Sequence, residues 1–229
     1  MKTIEKKKMK CEKHGTEFEG RLLFGKIKVG CPLCAREQEA QRQAKEAQRQ
    51  RQKEQELQEY KDFRVKCSGL GKRLIETKAK YTQNFKEFSK HLKSLEKNLY
   101  LYGNVGTGKS MFCAELIKRN TDKMPLYFLA SDLAYLTNSK RVEILNAQST
   151  NNCGLFVIDE ISDLPLIDES FLNALIDKLY NNDCLFVLSG NVSKDFLNSL
   201  SLKVLSRLNA RGLELCEFSG EDLRISKNR

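Results

Sequence analysis

The chain has 229 residues, of which 31% are charged, and a formal net charge of +10. That length can bury one sizeable core and carry a smaller appendage. No apolar run approaches the roughly 18 residues that would span a bilayer, so no transmembrane helix is expected. The basic start MKTIEKKKMK leads to Cys11 and His14 rather than to an apolar core, which argues against a signal peptide and for a cytoplasmic protein.

The excess positive charge is concentrated near the N-terminus. Residues 1–66 contain 18 Lys and Arg against 11 Asp and Glu, a difference of +7, whereas residues 67–229 contain 22 against 19, a difference of +3. This balance is compatible with binding the phosphates of a nucleic acid. It is also compatible with an ordinary solvated surface.

Two closely spaced pairs of metal-binding residues occur in residues 1–35. Cys11 and His14 form C-x-x-H, and Cys31 and Cys34 form C-x-x-C, with Gly15, Gly30 and Pro32 as turn residues beside them. Two such pairs suit one tetrahedral Zn²⁺ and leave no open position for catalysis. We expect a small structural zinc ribbon with two strands around Gly25; the alternative is a set of reduced, unliganded thiols.

The other histidine and the other cysteines suggest no site by their spacing. His91 stands alone on a predicted helix, and we assign it no role. A reducing compartment disfavours disulfides, so most of these cysteines are expected to be small core residues: Cys67, Cys113, Cys153, Cys184 and Cys216.

Residues 36–66 are predicted to form a charged helical linker. From Ala35 to Phe63 the sequence is almost entirely helix formers without Gly or Pro, and its alanine stripe does not continue as a heptad. It would be a spacer or a docking surface for a partner. Gly69 and Gly71 then break the pattern, which places a domain boundary near Lys66 and a second domain over residues 67–229.

A phosphate-binding loop is the strongest motif in the chain. Gly103 to Ser110 fits G-x-x-x-x-G-K-[ST], with an apolar strand before it and a helix after it. In such a loop Lys109 reaches the β- and γ-phosphates and Ser110 ligates Mg²⁺. The alternative is an ordinary Gly-rich turn. The predicted nucleotide contacts are Gly103, Asn104, Val105, Gly106, Thr107, Gly108, Lys109, Ser110 and Met111.

Two adjacent acids follow a second apolar strand, Leu155 to Ile158. We expect Asp159 to hold Mg²⁺ and Glu160 to orient the attacking water. The alternative is a simple strand end with a helix cap.

Two further candidates come from later strands and helices. Asn191, after the strand CLFVLSGN, is positioned to sense the γ-phosphate or lytic water, or is a turn residue. Arg207 projects from the helix SLSLKVLSRLNARG and is positioned to reach a neighbouring subunit's nucleotide, or is an ordinary surface arginine.

Five predicted strands alternate with helices, which indicates an α/β core with a mainly parallel sheet. The helices include Asn84 to Leu95 and a segment from Ser131 or Asp132 through Leu145. Little sequence follows Phe218, so we expect no C-terminal helical lid.

These motifs together resemble the AAA+ ATPases of the DnaC/DnaI helicase-loader and IstB type. The resemblance covers Cys67 to Arg224 and lies in GNVGTGKS, LFVIDE, DKLYNND, SGN, LSRL and FSGEDLR. It implies a P-loop NTPase core that binds ATP and Mg²⁺, self-associates, and has single-stranded DNA and a DnaB-type replicative helicase as partners. Lys109, Asp159, Glu160, Asn191 and Arg207 would be its catalytic residues, with Asn191 the first sensor and Arg207 the arginine finger.

The sequence departs from that family at two points, and other functions stay open. Leu179 stands before Tyr180 where loaders often have arginine, and Lys203 stands where arginine is common. We expect a helicase loader whose zinc segment faces the helicase. The alternatives are an IstB-like helper of a transposase, a small-molecule kinase with a zinc site, and a non-enzymatic zinc adaptor.

Overall fold

The computed structural model describes residues 5–23, 26–27, 31–79 and 82–224. The predicted turn positions Gly25 and Gly30 lie outside these residues. The chain divides into two compact units, residues 1–59 and 60–229, which are described separately.

The first unit contains an antiparallel sheet and the start of a long helix. Its strands are β1 (Glu5–Lys10), β2 (Glu17–Leu23) and β3 (Lys26–Ile27), in the order β1-β2-β3. Register pairs Lys10 with Glu17 and Leu22 with Ile27. Helix α1 (Pro32–Cys67) begins inside the second cysteine pair and is longer than the predicted 36–66 linker. Proline is favoured at the first position of a helix, and no Gly follows until residue 69.

The second unit is built on a parallel sheet, five-stranded among the described residues. Its order is β5-β6-β7-β4-β8, and every adjacent pair is parallel. The α/β fold with a mainly parallel five-stranded sheet is therefore confirmed. The strands are β4 (Asn98–Gly103), β5 (Leu126–Leu129), β6 (Leu155–Asp159), β7 (Leu185–Ser189) and β8 (Leu213–Phe218).

Helices connect these strands, and two predicted helices are each divided in two. The segment predicted from Asn84 to Leu95 forms α3 and α4. The segment predicted to run through Leu145 forms α6 and α7, because the Thr137 hydroxyl accepts a bond from the Lys140 N–H and starts a new helix. The bounds are α2 (Lys72–Glu76), α3 (Gln83–Glu87), α4 (Ser89–Lys93), α5 (Lys109–Arg119), α6 (Ala130–Ala134), α7 (Asn138–Asn146), α8 (Gln148–Asn151), α9 (Glu169–Asn181) and α10 (Leu202–Asn209).

The sheet separates two apolar clusters because successive side chains of a strand point to opposite faces. In β6, Leu155 and Val157 join the cluster that contains α5, whereas Phe156 and Ile158 join the cluster that contains α6 and α9. Both faces of the central strands are thus covered, which is typical of parallel sheets. No helix among the described residues is long and apolar enough to cross a membrane.

Candidate nucleotide-binding site and metal centre

The sheet order brings three predicted site segments to one edge. The strands β4, β7 and β6 are neighbours, and their last residues are Gly103, Ser189 and Asp159. In a parallel sheet the carboxyl ends share one edge, where ligands bind. The strand ending in Ser189 therefore lies between the phosphate loop and the acidic pair.

Glycines give the phosphate loop its shape. Gly103 has φ 122°, and a Cβ there would stand 2.3 Å from the Phe218 carbonyl oxygen, so a side chain is excluded. Gly108 has φ 101° and precedes the first residue of α5. The N–H groups of that helix terminus and its positive dipole end form an anion site suited to phosphate.

Lys109 is buried and bound to the loop itself. Its Nζ donates to the Gly103 carbonyl at 2.9 Å and to the Asn104 carbonyl at 2.5 Å. Burial lowers the pKa of Lys109, whereas the negative charge of Asp159 opposes that change. The ammonium is therefore held beside the loop by neutral acceptors, which a phosphate would replace with stronger, charged ones.

The remaining predicted nucleotide contacts lie along the loop and the first turn of α5. Thr107 is buried and its hydroxyl donates to the Asn104 carbonyl at 2.9 Å. Ser110 and Met111 are partly buried, and Val105 is exposed.

Asp159 is buried and oriented by two donors. The Tyr127 hydroxyl donates to its Oδ2 at 2.9 Å, and the Glu160 N–H donates to its Oδ1 at 2.9 Å. Burial raises the pKa of Tyr127, as does the negative charge of Asp159, so the phenol stays a donor. Our sequence reasoning missed Tyr127, because nothing in LYFLA distinguishes it from an ordinary strand residue.

Glu160 has a left-handed backbone, with φ 55° and ψ 46°, and its side chain is exposed. This conformation costs a residue with a Cβ about 1–2 kcal/mol. Non-glycine residues in strained conformations cluster at functional sites. The turn directs the chain away from β6 immediately after Asp159.

The end of β7 offers a polar side chain that we did not select. Ser189 is fully buried, and its hydroxyl lies beside the Cys113 thiol without the geometry of a hydrogen bond. The predicted sensor Asn191 is exposed two residues further on. Ser189 thus offers a buried hydroxyl without a hydrogen bond among the described residues, at the end of the strand between the phosphate loop and Asp159.

The segment after β8 packs against the phosphate loop. The Leu223 N–H donates to the Gly106 carbonyl at 3.0 Å, and the Asp222 carboxylate would overlap any Cβ on Gly106. Asn84 donates to the Ser219 carbonyl at 2.9 Å and to the Thr107 carbonyl at 3.4 Å. The loop is thus supported by residues distant in sequence, which motif spacing alone could not reveal.

Arg207 is anchored on the neighbouring helix α9. Its Nε lies 3.1 Å from Asp177 Oδ1, and its guanidinium lies 4.6 Å from the Tyr180 ring centroid. Lys203, one of the two departures from the loader pattern, binds the other oxygen of Asp177 at 2.5 Å. The described ion pair of Arg207 uses Nε, and a guanidinium has two further nitrogens that can donate hydrogen bonds.

The two predicted zinc-ligand pairs meet in the first unit. The ligand atoms of Cys11, His14, Cys31 and Cys34 all lie within 4.8 Å of one another. Separations are 3.6 Å for the Cys11 and Cys34 sulfurs, and 3.3 Å from the Cys34 sulfur to His14 Nδ1. Ligands of a tetrahedral zinc at about 2.3 Å stand roughly 3.8 Å apart, so the four residues fit that ion.

Two neighbouring residues tune these ligands. Glu37 on α1 binds His14 Nε2 at 2.9 Å, and His14 Nδ1 faces the cysteine sulfurs of the cluster. A second-shell carboxylate of this kind orients a metal-binding histidine. The Thr16 hydroxyl lies 3.3 Å from the Cys31 sulfur and lowers the pKa of that thiol to about 6, which favours the thiolate that binds zinc.

A glycine loop at a helix N-terminus, a buried lysine and an acidic pair on one edge of a parallel sheet define a P-loop nucleotide-binding domain. The family model described as AAA domain matches residues 95–219, more than half of the 229 residues, and the chain belongs to this family. A comparison with curated proteins gives no match.

Several solved structures resemble this fold. One is DnaI, with 13% sequence identity and a TM-score of 0.46; the match covers 65% of this chain and 88% of DnaI. Another is the DnaC helicase loader, with 17% identity and a TM-score of 0.47; the match covers 65% of this chain and 100% of that structure. A third is AMPPCP-bound DnaA from Aquifex aeolicus (18%, 0.47, 67% and 53%).

Proposed function

We propose that this AAA domain protein hydrolyses ATP and loads a DnaB-type replicative helicase onto single-stranded DNA. The ATPase proposal is based on one observation: the phosphate loop, the buried Asp159 and Glu160 all lie at the same edge of the sheet. Lys109 would bind the β- and γ-phosphates, while Ser110 and Asp159 would hold the Mg²⁺ that neutralises their charge. Glu160 would orient the lytic water.

Two residues would couple hydrolysis to assembly. Asn191, two residues after the end of β7, would report the γ-phosphate within one subunit. Arg207 would reach the nucleotide of a neighbouring subunit through its terminal nitrogens and stabilise transition-state charge. Self-association through the ATPase core is therefore part of the proposal.

The loader role is supported by the sequence motifs and by the Cys/His unit that precedes the core. The motifs GNVGTGKS, LFVIDE, LSRL and FSGEDLR resemble those of DnaC/DnaI-type loaders. The zinc-binding unit around Cys31 and Cys34 would dock on the helicase, and the core would contact the DNA.

The test is helicase capture by the full chain and by a Cys31→Ser/Cys34→Ser variant, each with ATP and with ADP. Capture that depends on the cysteines and on nucleotide supports the proposal. If the wild-type chain captures no helicase in either state, the loader role is wrong, and a transposase becomes the next partner to test.

ATP turnover is measured in parallel, because it separates the two parts of the proposal. We expect hydrolysis that single-stranded DNA stimulates and that Lys109→Ala abolishes. Turnover that a nucleoside stimulates, with phosphate transferred to it, would instead indicate a small-molecule kinase.

A further inference from the structure

Three metal-binding side chains meet in the ATPase core, among residues to which we assigned no role. His91 lies on α4, and Glu214 and Cys216 lie on β8, two residues apart and so on the same face of the strand. One ligand atom from each lies within 4.8 Å of the others. Among the described residues, β8 is an edge strand of the sheet.

The histidine of this cluster makes an ion-pair contact but no aligned hydrogen bond through Nε2 among the described residues. His91 is 5% exposed, and its Nε2 is buried without a hydrogen bond among the described residues. That atom lies 3.2 Å from Glu214 Oε1, but the two are not aligned for a hydrogen bond. Buried polar atoms are nearly always paired, so a buried nitrogen without a hydrogen bond, in a group with a carboxylate and a thiol, points to a missing ligand.

We propose that His91, Glu214 and Cys216 form a second metal site, selective for Zn²⁺ or a similar transition metal. Imidazole nitrogen, thiolate sulfur and carboxylate oxygen are the donors that zinc takes in proteins. On binding, the Cys216 S–H bond breaks, its proton passes to solvent and a sulfur–metal bond forms. Three protein ligands leave a fourth position for water.

A lysine competes with the metal for the carboxylate. Lys90 Nζ lies 2.6 Å from the same Glu214 oxygen, and the Lys90 side chain is 64% exposed. Because the ammonium can move into solvent, it is a displaceable cation rather than a permanent partner. Removing it should therefore strengthen metal binding, which is the opposite of what a purely structural ion pair predicts.

The test measures zinc bound per full-length chain after metal removal, reconstitution with Zn²⁺ and desalting. We expect the wild-type chain to bind one more equivalent of zinc than Glu214→Gln or Cys216→Ser. We expect Lys90→Ala to bind this additional zinc more tightly than wild type does. Cys67→Ser, which changes an exposed cysteine, is the matched control and should keep the full amount.

Glu214 is partly exposed, so Glu214→Gln should fold even if the buried Cys216→Ser does not; circular dichroism checks both. Each variant is then titrated with Co²⁺, and the absorption band of cobalt bound to thiolate is measured to determine whether part of it requires Cys216. If zinc content is the same in wild type and Glu214→Gln, or if Lys90→Ala weakens binding, the proposed site is wrong.

Discussion

The Tyr127 hydroxyl donates a 2.9 Å hydrogen bond to Oδ2 of Asp159, and so links two adjacent parallel strands at the candidate nucleotide site. Asp159 is 2% exposed, and a hydrogen bond to a charged acceptor is worth about 1.5–3 kcal/mol. Tyr127 thereby fixes the orientation of the carboxylate that we propose to hold Mg²⁺.

Tyr127→Phe removes only this hydroxyl. We expect the free energy of unfolding to fall by about 1–3 kcal/mol, because a buried carboxylate loses a donor. We also expect ATP hydrolysis to require a higher Mg²⁺ concentration, since Asp159 is no longer held in one orientation. Urea unfolding and a Mg²⁺ titration of turnover measure the two effects.

The matched control is Tyr135→Phe, which removes a hydroxyl from a side chain that is 80% exposed. It should change neither stability nor the Mg²⁺ requirement. Equal Mg²⁺ titrations for Tyr127→Phe and wild type would show that the hydrogen bond does not position Asp159.

Glu160 allows chemistry and backbone strain to be separated. Glu160→Gln should keep nucleotide binding and reduce hydrolysis by about 10²-fold or more, as expected for loss of a general base. Glu160→Gly should lose hydrolysis equally but be about 1 kcal/mol more stable than Glu160→Gln, because glycine adopts φ 55° without strain.

Urea unfolding of the two variants gives the stability difference, and single-turnover assays give hydrolysis. If Glu160→Gly is the less stable variant, the left-handed turn is not strained. If Glu160→Gln hydrolyses ATP at the wild-type rate, Glu160 does not orient the lytic water.

The sequence predicted the sheet because its signals are local. The apolar run before Asp159 indicates a strand that ends at that residue. The motif from Gly103 to Ser110 likewise indicates that a strand ends where the phosphate loop begins. The contact of Tyr127 with Asp159 was not predictable, since it depends on which strands become neighbours. The position of Glu37 beside the zinc ligands could have been predicted, because it stands three residues after Cys34 on one helix and so lies on the same face.

Arg207 gives a test of assembly. We expect Arg207→Ala to bind ATP normally but hydrolyse it at least about 10³-fold more slowly, as for loss of an arginine finger. If the residue acts on a neighbouring subunit, mixing Arg207→Ala with Lys109→Ala should restore turnover, because one variant supplies the nucleotide site and the other supplies the arginine.

Asp177→Asn is the companion variant, because it weakens the ion pair that anchors Arg207 on α9. It should give an intermediate rate with unchanged nucleotide affinity. A mixture no more active than the sum of its two components would exclude action in trans.

The Cys/His centre gives a prediction about metal affinity. Glu37→Gln keeps the size of the side chain that binds His14 Nε2 but removes its charge. Second-shell changes of this kind lower metal affinity by about 10- to 100-fold, and we expect a shift in that range when zinc is titrated against a competing chelator. Glu39→Gln, on the same helix with an exposed side chain, should leave the affinity unchanged. Equal affinities for Glu37→Gln and wild type would mean that Glu37 does not orient His14 toward the metal.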